Sequence, residues 1–280
     1  KTSYRIRIRN GIVGEGKLHR DRQMVVVGEE VGRGLDGIRE KEPVFGLSAL
    51  WITQDRFKEV RELGLTSIDS LTVLVTHLSR VVMQHAAELL SWEEVSRMVD
   101  ILKKTSPRLV DDAFDEDLTI SKLHQVLKAL LAERVPVIDM ETIVEISSDY
   151  AHGKVETCVE KVRIALRRQI CSQVSSPNEN GNQSIHCITL PPAVEAVVGR
   201  SCSSEMHPKS LSAALEHAVL PLINTGRPAV VVVSSSSARR LLRETIAPLD
   251  PSIVILSQEE IVSEVELQVV GTIDVASRAS

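Results

Sequence analysis

The chain has 280 residues, of which 43% are hydrophobic and only 2% aromatic, and its formal net charge is −5 at pH 7. That length suits about two average domains or several small ones, with cores built from aliphatic side chains. The acidic balance gives no overall field to gather nucleic acid, and so few rings leave few platforms on which single strands could stack.

The first element is a half-buried strand over residues 4–9, where Tyr4, Ile6 and Ile8 alternate with three arginines. An apolar stretch over 11–27 follows, and the glycine-rich, charged run 28–41 reads as a loop. Phe45–Thr53 is a compact apolar run between Pro43 and Asp55. A short helix is expected over about 55–63, ended by Gly64. Asp69 and Ser70 are good helix caps. Behind them Leu71, Leu74, Val75, Leu78, Val81, Val82 and Leu89 recur at helical spacing, which predicts one helix over 70–90.

Ser91 with Glu94 forms a capping-box pattern at the head of a helix carrying Val95, Met98, Val99 and Leu102. Ile120, Leu123, Val126, Leu127, Leu130 and Leu131 mark the next. Asp139 caps another with Ile143, Val144 and Ile146, and 155–174 is predicted as a single helix. Residues 175–184 (SSPNENGNQS) carry the strongest linker signal. Beyond them, strand-like runs at 185–190, 229–233, 253–256 and 267–273 alternate with helical patterns at 209–223 and 237–247. That is the order of a small α/β domain with a mostly buried sheet.

Chemistry-bearing motifs are weak throughout. The run Val13–Lys17 (VGEGK) lacks the spacing of a phosphate loop, and the Gly28–Gly37 cluster makes no GxGxxG. Flexible turns explain both. His77 and His85 lie eight apart on the predicted helix, too far to share a metal ion. Ser234–Ser237 sits between a strand and a helix without GxSxG, so it reads as a helix cap. Arg239, Arg240 and Arg243 read as a solvated helix face. Asp111, Asp112, Asp115, Glu116 and Asp117 read as solvated loop charge, without the glycine that a calcium loop needs. The four cysteines (Cys158, Cys171, Cys187, Cys202) show no paired spacing and read as reduced thiols. No run approaches the ~18 apolar residues of a membrane span, and no signal peptide is visible. No metal, cofactor or catalytic set is expected. The alternative reading is a helix-turn-helix transcription regulator with an α/β effector domain, with 120–151 as its DNA reader. Residues 91–174 hold more Asp and Glu than Lys and Arg, which counts against it.

Four segments carry a family resemblance. They are Glu42–Ile52 (EPVFGLSALWI), Leu74–Leu78 (LVTHL) with His85–Leu90 (HAAELL), Leu127–Met140 (LKALLAERVPVIDM), and Val162–Leu166 (VRIAL). In this order and spacing they resemble the cytoplasmic domain of the FlhA/SctV family, the export gate of bacterial flagellar and type III secretion systems. The THL and EPxFGL elements lean toward the flagellar branch. The resemblance implies an α+β multi-subdomain fold: small mixed α/β N-terminal subdomains, an all-helical middle subdomain and a C-terminal α/β subdomain. Its expected divisions are 1–18 with 70–90 (subdomain 1, N-terminally incomplete), 19–69 (subdomain 2), 91–174 (subdomain 3), 175–184 (linker) and 185–280 (subdomain 4).

By the same resemblance the chain is not an enzyme. It is a docking platform that receives export chaperone–substrate complexes and helps order their export. Other expected partners are export-apparatus proteins, including the export ATPase complex, and further copies of itself in a ring of nine. No nucleic acid is expected. The membrane is reached only through a multi-span part that this chain lacks, which places the chain at the cytoplasmic face of the inner membrane. The family's chaperone-docking dimple falls on Glu42, Phe45, Leu47, Ile68, Val73 and Thr76. Flagellar members commonly carry Asp where this chain has Glu42.

Overall fold

A computed structural model describes residues 2–27, 35–44, 46–115, 117–191, 194–196, 214–215, 217–222, 225–246 and 253–273. The chain divides into two compact units, Lys1–Leu89 and Leu90–Ser280.

The first unit begins with β1 (Thr2–Ile8) and β2 (Gly11–Leu18), an antiparallel pair that forms its own two-stranded sheet. Arg9 and Asn10 join them with φ of 46° and 70°, the left-handed pair that a tight hairpin turn requires. Strands β3 (Arg22–Val26), β4 (Ile38–Lys41), β5 (Ser48–Thr53) and β6 (Ser67–Asp69) form an antiparallel sheet in the order β4-β5-β3-β6. Side chains alternate across β5. Leu50 and Ile52 join Val25 and Val60 in a core on one face, while Ala49 and Trp51 join Met24 and Val73 on the other. Val60 belongs to α1 (Phe57–Glu62) and Val73 to α2 (Ser70–Gln84), so each face of the sheet is covered by a helix.

Two expectations change in this unit. The end of the predicted 28–41 loop is the edge strand β4, paired with β5 from Ile38↔Trp51 to Lys41↔Ser48. Gly37 permits the approach, since a Cβ there would lie 2.9 Å from the Trp51 carbonyl oxygen. The predicted 70–90 helix is two pieces, α2 and α3 (Ala86–Leu89), interrupted at His85. His85 caps α2, its carbonyl accepts the Glu88 and Leu89 N–H groups, and its Nδ1 lies 3.1 Å from Glu88 Oε2. The start of α2 follows the sequence: Asp69 Oδ1 accepts the N–H groups of Leu71 and Thr72, both at 2.9 Å.

The second unit opens with α4 (Trp92–Thr105), α5 (Pro107–Asp115), α6 (Ile120–Ala132), α7 (Met140–Asp149), α8 (Val155–Ala165) and α9 (Arg167–Val174). Ser91, Thr119 and Asp139 cap α4, α6 and α7 through their side chains. The Lys122 ammonium donates to the carbonyls of Tyr150, Ala151 and Gly153 just beyond the end of α7, where a cation complements the helix dipole.

Asp111, Asp112 and Asp115 lie on α5 and not in a loop; Pro107 starts this helix, a position where its missing N–H costs nothing. The predicted 155–174 helix breaks at Leu166 into α8 and α9. The predicted linker 175–184 is a β-turn structure in which β7 (Ser176–Pro177) pairs back onto β8 (Gln183–Thr189). Asn178 Oδ1 accepts the N–H groups of Asn180 and Asn182, and Gly181 takes a φ of 79°. The polar residues that signalled a linker therefore build a turn.

The remaining strands β9 (Val230–Val233), β10 (Val254–Ser257) and β11 (Glu266–Thr272) run parallel with β8 in the order β10-β9-β8-β11. One face of this sheet (Ile185, Cys187, Val230, Val232, Leu256) shares a continuous core with α4–α9. The other face (Ile188, Val231, Val233, Ile255) packs against Leu242 and Ile246 of α10 (Ser236–Ile246) and against Leu215, Val219 and Leu222. This is the small parallel α/β layer that the sequence order implied, and with the antiparallel sheets of the first unit it gives the expected α+β class. Of the predicted 209–223 helix, residues 214–215 and 217–222 are described, and all are helical.

Candidate functional site

The six residues of the expected dimple all lie in the first unit. The short connection from β4 to β5 closes on itself. Glu42 N–H donates to the Leu47 carbonyl at 2.9 Å, and Gly46 N–H donates to the Glu42 carbonyl at 3.1 Å. Gly46 has φ 70°, a left-handed conformation that costs glycine nothing. The Glu42 side chain is buried and turns back into this loop. Its Oε2 accepts the Val44 N–H at 2.7 Å, and its Oε1 lies 3.4 Å from the Leu47 nitrogen. The side chain at this position thus shapes the loop. Leu47, at the loop's end, is 50% exposed, too open for a core residue. Phe45 lies outside the described residues.

The other three residues separate into two kinds. Ile68 on β6 and Val73 on α2 belong to one core with Met24, Ala49 and Trp51. Val73 is 4% exposed, so its part is to seat α2 on the sheet. Thr76, one turn further along α2, faces solvent. Of the five described residues, Leu47 and Thr76 are exposed, Glu42 and Val73 are buried, and Ile68 is half-buried.

Beneath Thr76 lies a group that the sequence reading did not assemble. His77 is buried, and its Nδ1 is 2.7 Å from the Tyr4 hydroxyl, with the two rings edge to face at 5.7 Å. Burial lowers the His77 pKa from 6.5, and the nearby Glu42 charge partly offsets this. Burial also raises that of Tyr4, and Glu42 adds to the shift. Tyr4 from β1, His77 from α2 and Glu42 from the loop therefore act on one another. His85, eight positions further along the chain, pairs with Glu88. Gly14 and Gly16, read from sequence as turn glycines, are strand residues of β2 that leave room for this pair. A Cβ on Gly14 would sit 3.0 Å from His77 Nε2, and one on Gly16 would sit 2.5 Å from the Tyr4 hydroxyl. The alternation of glycines with Glu15 and Lys17 was the signal; a close approach of a strand to rings was the reading it called for.

The second unit carries a different charged assembly. Arg239, expected on a solvated face, is 1% exposed. Its guanidinium donates bidentately to Glu160 and also to Glu133. Arg163 donates to Glu133 at 3.2 Å and to Glu260, whose other oxygen accepts the Ser257 N–H at 2.7 Å. Burial opposes the charge on Arg239, but the Glu160 hydrogen bonds and the charges of Glu133 and Glu260 outweigh it and raise its pKa. Burial pushes Glu160 up, against the pull of Arg239. The assembly ties α8 to α10 and to the turn after β10. We assign it to architecture. The serines at the start of α10 are likewise engaged: Ser235 Oγ caps the helix by accepting the Ala238 N–H, while Ser234 and Ser236 bond to Glu195 and Glu259. Cys158, Cys171 and Cys187 are free and buried, and burial raises the pKa of each thiol; Cys202 lies outside the described residues. Between α6 and α7 stand seven residues, 133–139, longer than the 3–4-residue turn of a helix-turn-helix. Leu123, Leu127, Leu130, Ile143 and Val144 of these helices are fully buried. Among the described residues no helix is long and apolar enough to cross a membrane.

Comparison with known proteins agrees with the motif resemblance. The FHIPEP family profile matches residues 1–266. The flagellar biosynthesis protein FlhA of Yersinia enterocolitica is 30% identical over 282 residues, 98% of this chain and 40% of its own length. The chain thus spans well under half of such curated relatives. Among solved structures, the CdsV protein of Chlamydia pneumoniae superposes with a TM-score of 0.80 at 23% identity, covering 97% of this chain and 80% of that one. Nonameric SctV-C of EPEC gives a TM-score of 0.69 at 22% identity, covering 94% of this chain and 81% of that one. With the motifs, the α+β architecture and a family match over nearly its whole length in agreement, the chain belongs to the FHIPEP family, that of FlhA and SctV.

Proposed function

We propose that this chain is the docking platform of a type III protein export gate, where its first unit receives chaperone–substrate complexes. The observation that carries this reading is the self-closed 42–47 loop, which leaves Leu47 half exposed at its end. The charge of Glu42 in that loop acts on His77, the neighbour of the exposed Thr76. An apolar side chain and a hydroxyl on a rigid support suit a partner with one apolar anchor and a polar rim. Glu42, Ile68 and Val73 support this surface in our reading, and Phe45 completes it by the family resemblance.

Titration calorimetry with a cognate chaperone–substrate complex tests this. Leu47→Ala and Thr76→Met are expected to weaken binding by about thirtyfold or more, the size of an interface hot spot of ~2 kcal/mol. Unchanged affinity in both folded variants contradicts the site.

Assembly into a ring of nine and contact with further export proteins, the ATPase complex among them, belong to the same proposal. EPEC SctV-C is a nonamer, and CdsV has been solved in complex with CdsO. Attachment to the inner membrane would come from parts of the full protein outside this chain. We also keep the four-subdomain division, with 1–18 joined to 70–90, then 19–69, 91–174 and 185–280; residues 175–184 become a hairpin within it. Leu71, Val75, Leu78 and Val82 form an outward apolar stripe on α2, all exposed.

A further inference from the structure

A two-stranded hairpin is marginally stable in water on its own, and β1–β2 is such a sheet. It leans on α2, and the contact is specific. The glycines at 14 and 16 open space on β2 for the His77 and Tyr4 rings, and the Tyr4 hydroxyl meets His77 Nδ1 at 2.7 Å. Glu42 acts electrostatically on both groups, and its carboxyl oxygens hold the Val44 and Leu47 N–H groups.

We propose that Tyr4 and His77 are positioning residues of the docking loop: their hydrogen bond fixes the surroundings of Glu42, and through Glu42 the 42–47 loop that presents Leu47. The consequence for partner binding rests on the docking function proposed above; the consequence for the loop does not. Neutral imidazole can accept the tyrosine proton at Nδ1, whereas imidazolium has two donors and no acceptor. Protonation of His77 thus removes the acceptor and sets a positive charge toward Glu42, in competition with the loop's own N–H groups. The Tyr4 hydroxyl from β1 is bonded to His77 and the charge of Glu42 from the loop acts on it; β2 sets Gly14 against its ring, and the half-buried Arg80 lies one turn further along α2. Because burial holds the His77 pKa below 6.5 in the folded chain, the arrangement is fully present above about pH 6.5 and is lost as the pH falls through the lower folded value.

The experiment is amide hydrogen exchange at Val44 and Leu47, read as protection factors from pH 8 to pH 5, with the β3–β5 amides as a control for folding. Tyr4→Phe at pH 8 is expected to lower protection at both amides by about tenfold, the equivalent of one hydrogen bond. Wild-type protection falls on acidification. His77→Asn, whose amide oxygen can stand in for Nδ1 but does not titrate, keeps its protection at pH 8 and loses the acid sensitivity. Protection unchanged in Tyr4→Phe, or the same acid loss in His77→Asn as in wild type, overturns the proposal. A chaperone–substrate complex, titrated in parallel, separates the two readings. Loop protection that responds as expected, with binding indifferent to Leu47→Ala, sinks the docking function and leaves the positioning pair standing.

Discussion

Arg239→Ala is expected to destabilise the second unit by about 3–5 kcal/mol, the cost of removing one partner from a buried charge network. The physical reason is what stays behind. Glu160 would lose its bidentate partner and Glu133 one of its two arginines, in a region where burial already raises the Glu160 pKa. Arg239→Lys keeps the charge but not the planar fork that bridges two carboxylates, so an intermediate loss is expected. Urea denaturation followed by circular dichroism reads this as a lower midpoint. A midpoint for Arg239→Ala within the error of wild type would show that the network contributes nothing net.

Trp51→Ala is the second large effect, expected to cost the first unit about 3–5 kcal/mol. Trp51 is fully buried at the centre of β5. It packs with Met24, Ala49 and Val73 under α2 and lies 5.1 Å from the His19 ring. Its removal empties the space between the sheet and the helix that carries Thr76, so docking should weaken together with stability. Its indole nitrogen has no hydrogen-bond partner among the described residues, and Trp51→Phe is expected to retain most of the stability. The same denaturation experiment decides, and equal losses in both variants would contradict this account of the packing.

Aliphatic periodicity made the helical block legible. Leu123, Val126, Leu127 and Leu130 recur at helical spacing, Thr119 caps their helix, and all four are buried. The valine run at 230–233 likewise reads as a central strand because both faces of a parallel sheet are covered. Helix α5 escaped because its core residues, Val110 and Ala113, are set among aspartates that also suit a loop. Arg239 escaped for a different reason: helical spacing tells which face a residue shares, but only the fold brings Glu133 and Glu160, 106 and 79 positions away, to meet it. The same holds for Tyr4 and His77, 73 residues apart. Of the proposed docking residues, the motif supplied the positions. Only the structure divided them into the exposed Leu47 and Thr76 and the supporting Glu42, Ile68 and Val73.

The most direct test of the docking account is site-specific photocrosslinking. A photoreactive phenylalanine derivative placed at Leu47 or at Thr76, in the full-length protein, is illuminated with a cognate chaperone–substrate complex. The same group placed at Leu63, an exposed apolar residue just after α1, serves as reference. The account predicts adducts to the chaperone–substrate complex from positions 47 and 76 well above those from 63. Equal yields from all three positions, or none from 47 and 76, would contradict it.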